Sequence, residues 1–146
     1  MARNETTIDA TPERVFEVLM DTDCYGEWVV GSKEIRDTDA TWPAVGSRFH
    51  HRVGVGPFTI DDHTMIEEID PPRLLKLRAR ARPFGTALVT LELRASGSGT
   101  AVTMIEDPAD PLTAFVFQPL THLLTRRRND EALRRLGELA ERGGGA

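Results

Sequence analysis

Residues Pro119 to Arg142 read PLTHLLTRRRNDEALRRLGELAER. This stretch has the pattern of one long helix. Pro119 suits the first helical turn, where its missing N–H removes no intrahelical bond. Leu120, Leu123, Leu124, Ala132, Leu133, Leu136, Leu139 and Ala140 recur at spacings of three and four, an apolar stripe down one face. Gly143, Gly144 and Gly145 are expected to end it. A stripe of that length needs a broad partner surface. The strand-patterned segments between residues 32 and 107 supply one. The expected architecture is α+β, a curved antiparallel sheet of about seven strands wrapped around the long C-terminal helix. Two short helices follow strand 1, and a pocket lies between sheet and long helix.

The 146 residues fit one domain, residues 1–142, with a disordered tail over Gly143–Ala146. A chain of this length buries roughly 68–70% of its unfolded surface. The net charge of −5, with no long basic block, argues against nucleic acid as a partner. Cys24 is the single cysteine, so no internal disulfide is available, which fits a cytoplasmic location. Met1–Thr7 has no apolar run of the signal-peptide kind. No apolar segment is long enough to span a bilayer. A monomer or homodimer is expected.

Taken in order, Thr6, Thr7 and Ile8 are β-branched and suit a short first strand. Thr11 is a helix N-cap, Pro12 the first helical residue, and Glu13 sits near the positive end of the helix dipole. Val15, Phe16, Val18 and Leu19 form the buried face of a helix ending near Met20. Asp21–Gly26 is expected to form a second short helix that delivers Tyr25 and Trp28 to the core or to the pocket mouth. Ser32–Thr38 reads as the second strand, and Ser47–Val55 as a stronger third with Phe49, His51, Val53 and Val55 on one face. Phe58–Ile69 returns antiparallel. After the Asp70-Pro71-Pro72-Arg73 turn, Leu75, Leu77, Ala79 and Ala81 alternate with Lys76, Arg78, Arg80 and Arg82. Glu92, outward on the next strand, is expected to face that basic row. Ser96-Gly97-Ser98-Gly99 is a hairpin turn before the last strand, Thr100–Asp107.

Several of these residues carry a family likeness. They are Ile8-Asp9-Ala10-Thr11-Pro12-Glu13-Arg14-Val15-Phe16, Tyr25, Trp28, Gly46 and Asp70-Pro71-Pro72-Arg73-Leu74. Gly99-Thr100-Ala101-Val102-Thr103-Met104, Arg128-Asn129 and Leu133-Arg134-Arg135-Leu136 complete the set. The chain resembles the START/Bet v 1-like (SRPBCC) superfamily, the helix-grip fold, in its polyketide cyclase/dehydrase-like branch. That resemblance implies a hydrophobic cavity between sheet and long helix. Members of such families bind lipids, sterols, polyketides or plant hormones, and a few catalyse ring closure or dehydration.

Polar residues on inward strand positions are the candidates for chemistry. His51 shares a face with Phe49 and Val53, and imidazole titrates near neutrality. His63 joins it if the odd positions of the Phe58–Ile69 strand face inward. Phe58 and Ile60 favour the even phase, Met65 and Ile69 the odd, and a bulge between them would reconcile both. Glu106 follows Val102 and Met104 at period two and points inward. His51, His63 and Glu106 are thus the candidate acid–base set, against a reading in which they only hydrogen-bond one another or a ligand. The candidate ligand-binding residues are Trp28, Phe49, His51, Val53, His63 and Met65 from the first half of the chain. Leu77, Val89, Leu91, Met104, Glu106, Leu120 and Leu124 complete the lining.

No metal and no cofactor is expected, because His50 and His51 point to opposite faces and no HExxH or paired CxxC occurs. Arg126-Arg127-Arg128 reads as a solvated face pairing with Asp130 and Glu131, or as an anchor for a ligand carboxylate. The expected function is binding of a small hydrophobic or amphipathic ligand, lipid- or polyketide-like. A cyclase/dehydratase-type enzyme and a protein-interaction module using the basic row are the alternatives.

Overall fold

The computed structural model describes residues 2–21, 28, 32–55, 58–80, 86–108 and 119–144. The elements are β1 (Ala2–Ile8), α1 (Pro12–Met20), β2 (Ser32–Thr38), β3 (Arg48–Val55) and β4 (Phe58–Asp70). Then come β5 (Leu74–Arg80), β6 (Thr86–Ser96), β7 (Gly99–Pro108) and α2 (Pro119–Gly144). The second short helix, with Cys24 and Tyr25, falls outside the described residues. The seven strands form one antiparallel sheet in the order β1-β7-β6-β5-β4-β3-β2. Strands β2 to β7 lie side by side in chain order, and β1 closes on the far edge of β7.

Local chemistry accounts for the element ends. The Thr11 hydroxyl accepts the Arg14 N–H at 3.2 Å, and Pro12 opens α1. Gly46 enters β3 at φ 87°, a left-handed conformation that favours glycine, and its N–H donates to the Ile66 carbonyl at 2.8 Å. Helix α2 runs through Gly144, two residues past the expected end at Arg142. Glycine disfavours helix by only about 1 kcal/mol, so it slows rather than forbids continuation. Residues 145–146 lie outside the described residues.

The core is the inner face of the sheet against α1 and α2. Leu75 stands opposite Leu91, Leu91 opposite Met104, and Leu93 opposite Val102. All are buried, with Ile8 and Val15. Helix α2 contributes Asn129, Ala132, Leu133, Leu136 and Ala140, the three-and-four spacing of a buried stripe. Gly137 faces β1. A Cβ there would stand 3.4 Å from Ile8 Cγ1. The far end of α2 is pinned: the Asp9 N–H donates to Glu141 Oε1 at 2.9 Å. Arg14 donates Nε to the Ala140 carbonyl and Nη2 to the Leu139 carbonyl, both at 3.2 Å. Two carbonyls near a helix C-terminus thereby gain a cationic partner.

The phase of β4 is decided by a bulge. Ile66 pairs with Leu77, but the next register pair is Glu68 with Lys76, so Glu67 is the extra residue. The inward phase therefore runs through Thr64 and Ile66, then switches to Ile69. The sequence expectation put the switch earlier. On the outer face, Glu92 is the register partner of Leu74, not of a basic residue. Arg78 takes its carboxylate from Glu67 on the other side.

Candidate functional site

The inner wall runs from β3 to β7. Phe49, Leu77, Val89, Leu91 and Met104 are buried on it, as the alternation of their strands requires. Trp28 is also buried, 2% exposed. Trp42 stacks edge-on against Phe49 at 5.0 Å, and its Nε1–H donates to the Met20 carbonyl at 3.0 Å. The side chains of His51, Val53, Leu120 and Leu124 lie outside the described residues.

His63 and Met65 do not join this wall. The β3–β4 register pairs Phe49 with Thr64, and both are fully buried. It pairs His50 with His63 and Arg48 with Met65. Residues directly opposite on neighbouring strands share a face, so His63 and Met65 belong to the outer face with His50. The acid–base set of His51, His63 and Glu106 is therefore not assembled in one cavity. The register partner of His51 is Asp62. The cause is the position of the bulge, which keeps the inward phase on Thr64 and Ile66.

Glu106 does face inward, opposite Val89 and Ala2. Its side chain is 8% exposed, and both carboxylate oxygens accept from Arg128 Nη2 at 2.7 Å. Asn129 Nδ2 approaches Glu106 Oε1 at 3.5 Å. The carboxylate is thus an ion-pair partner rather than a group isolated among apolar side chains. Beside it, Asn4 Nδ2 donates to the Arg126 carbonyl at 2.8 Å and to Asp130 Oδ1 at 2.6 Å. Asn4 Oδ1 is buried and has no hydrogen-bond donor among the described residues.

This polar cluster joins β1, β7 and α2, and it corrects the reading of the arginine run. Arg128 is bound to Glu106, Asp130 to Asn4, and Glu131 to Arg134 and Arg135 further along the helix. The hydrogen bond from Arg134, then that from Arg135, lowers the Glu131 pKa to about 2. Sequence reasoning missed Asn4 because it began the first strand at Thr6. It missed Asn129 although that residue stands three and four before Ala132 and Leu133, inside the stripe. A polar residue at a stripe position was the available signal.

A separate groove of about 370 Å³ opens on the outer face, between Arg73, Glu92, Arg94, Ala101 and Thr103. It lies on the side of the sheet away from α2. Among the described residues no helix is long and apolar enough to cross a membrane.

Comparison with known proteins matches residues 2–141 to the family described as polyketide cyclase / dehydrase and lipid transport. No curated protein matches the chain. Protein MLL2253 from Mesorhizobium loti is similar in structure, with a TM-score of 0.73, 18% identity and 97% of each chain covered. A protein from Arthrobacter aurescens gives a TM-score of 0.75 at 14% identity, covering 96% of this chain and 85% of its own. Ara h 8.0201 gives 0.70 at 11% identity over 97% of both chains. The likenesses establish the helix-grip fold.

Proposed function

Because the chain belongs to the polyketide cyclase / dehydrase and lipid transport family, we propose that it holds a small hydrophobic or amphipathic molecule, lipid- or polyketide-like, between the inner sheet face and α2. The observation that carries this reading is the inner wall itself. Among the described residues it carries buried Phe49, Leu77, Val89, Leu91 and Met104 with Thr64 beside Phe49, and one paired carboxylate, Glu106 with Arg128. An apolar body would gain about 25 cal/mol per Å² buried, before association costs. A polar head would find the Glu106, Arg128 and Asn4 cluster. Binding is favoured over acid–base turnover because the register puts His63 on the opposite face from Glu106.

Native mass spectrometry beside the denatured spectrum tests this. A discrete extra mass, released on denaturation, is the expected result. Val89→Trp, which projects a large ring from the wall, should abolish it while circular dichroism stays unchanged. No extra mass, together with no displacement of a bound anilinonaphthalene sulfonate probe by fatty acids, would overturn the reading. Glu106→Gln and His51→Ala should alter affinity and leave the bound compound chemically unchanged. A product formed by the parent and lost in both variants, with binding retained, would replace it by the cyclase/dehydratase reading.

A further inference from the structure

The bonds that join β1, β7 and α2 leave a buried acceptor unused. Asn4 is 4% exposed on the inner face of β1. Its amide orientation is fixed by its partners. Nδ2 lies 2.8 Å from the Arg126 carbonyl and 2.6 Å from Asp130 Oδ1, and a carbonyl and a carboxylate both take a donor. Those two bonds use both N–H groups. Oδ1, on the other arm of the planar amide, is buried with no donor among the described residues. The donors nearby are directed elsewhere. Arg128 Nη2 is bound to both oxygens of Glu106, and Arg128 Nε lies 3.4 Å from Asn129 Oδ1. Asn129 Nδ2 is turned to Glu106 Oε1. Asn4 is the register partner of Met104, and Glu106 that of Ala2, so Asn4 and Glu106 are diagonal neighbours on one face. Within these contacts two carboxylates, Glu106 and Asp130, stand against one guanidinium, Arg128.

We propose that Asn4 sets the head-group specificity of the ligand site: the molecule it takes is an amphipathic alcohol, whose hydroxyl donates to Asn4 Oδ1. The inference rests on the binding function proposed above and names the chemical class of the ligand's polar end. A hydroxyl supplies the donor that Oδ1 lacks and adds no charge. An ionised carboxylate is acceptor-only, so it sets oxygen against oxygen at Asn4. It also brings a third negative charge beside Glu106 and Asp130, and Arg128 Nη2 is already held between the two Glu106 oxygens. An ether of the same length fills the same apolar space but has no donor, so it leaves Oδ1 unpaired. A neutral hydrogen bond to a buried acceptor is worth about tenfold in affinity. Asn4 thus discriminates by the hydrogen it receives, while the apolar wall binds the chain of either compound alike.

Calorimetric titration of the full chain with n-decanol, decyl methyl ether and decanoate at neutral pH tests this. Decanol should bind about tenfold more tightly than the ether, and decanoate most weakly. Asn4→Leu, close in size, removes Oδ1. It should bring decanol down to the affinity of the ether and leave the ether unchanged, which also reports that the variant's site is intact. Where Asn4→Leu fails to fold, the side-chain amide NMR signals of Asn4 in the parent take its place: they should shift with decanol and stay put with the ether. Equal affinity of the parent for decanol and the ether, tightest binding of decanoate, an undiminished decanol preference in Asn4→Leu, or Asn4 amide signals that respond alike to both compounds overturns the proposal and leaves the binding function standing. Binding of none of the three compounds overturns the binding function, and this inference with it.

Discussion

Replacing Arg128 by Met strands the Glu106 carboxylate. That carboxylate is 8% exposed, whereas the Arg128 side chain is 43% exposed. With the guanidinium gone, the remaining described donor is Asn129 Nδ2 at 3.5 Å, too long for a strong bond. Breaking a fully buried pair costs about 3–5 kcal/mol. Here one partner already reaches water, so Arg128→Met should cost about 2–3 kcal/mol. Glu106→Gln frees Arg128 to turn into solvent and keeps the packing, so it should cost only about 1 kcal/mol. The double variant carries no stranded charge. It should therefore be close to Glu106→Gln alone, a coupling of about 2–3 kcal/mol. For a chain of this length, Arg128→Met should lower the melting temperature by about 4–12 °C. Urea unfolding of the four proteins, compared at equal m-value, measures the cycle. Equal costs for the two single variants, or additive costs in the double, would refute the asymmetry inferred from burial.

Two glycines on the β1 side should respond oppositely to alanine. A Cβ at Gly99 would sit 2.5 Å from the Ile8 carbonyl oxygen, which is backbone, so Gly99→Ala should destabilise by about 1–3 kcal/mol. At Gly137 it would meet only the Ile8 side chain at 3.4 Å, and the helix gains about 0.8–1.0 kcal/mol of propensity, so Gly137→Ala should be neutral or stabilising in thermal melts. Glu131, with its pKa lowered from 4.5 to about 2, contributes stability above about pH 4.5 that is lost as pH falls toward 2. Glu131→Gln should therefore melt slightly lower than the parent at neutral pH, with the gap closing in acid; a gap independent of pH would remove the Arg134–Glu131 bond as its cause.

Much of the fold was legible because its signals are local. Thr11-Pro12 marks the start of α1, since capping depends on neighbours three residues away. Alternation placed Leu75, Leu77, Leu91 and Met104 on one face, and each is buried there. The inner face of the sheet was therefore readable. His63 was not. Its face depends on where β4 takes an extra residue, and the apolar positions on either side of that point supported both phases. The bulge at Glu67 arises from pairing with β5, a contact between segments that the β4 sequence alone does not encode.

What the sequence determined by itself was periodicity: which residues share a strand face or a helix stripe, where helices begin, and that a long stripe needs a sheet to cover it. Only the tertiary structure decided which faces meet. Asn4, Glu106, Arg128 and Asn129 come together because α2 crosses β1 and β7 at one height. His50 meets His63, and not the adjacent His51, because β3 and β4 pair in one register. Alternation and helical period follow from the backbone of each segment. Register and crossing height follow from burying several segments at once, so they belong to the assembled chain.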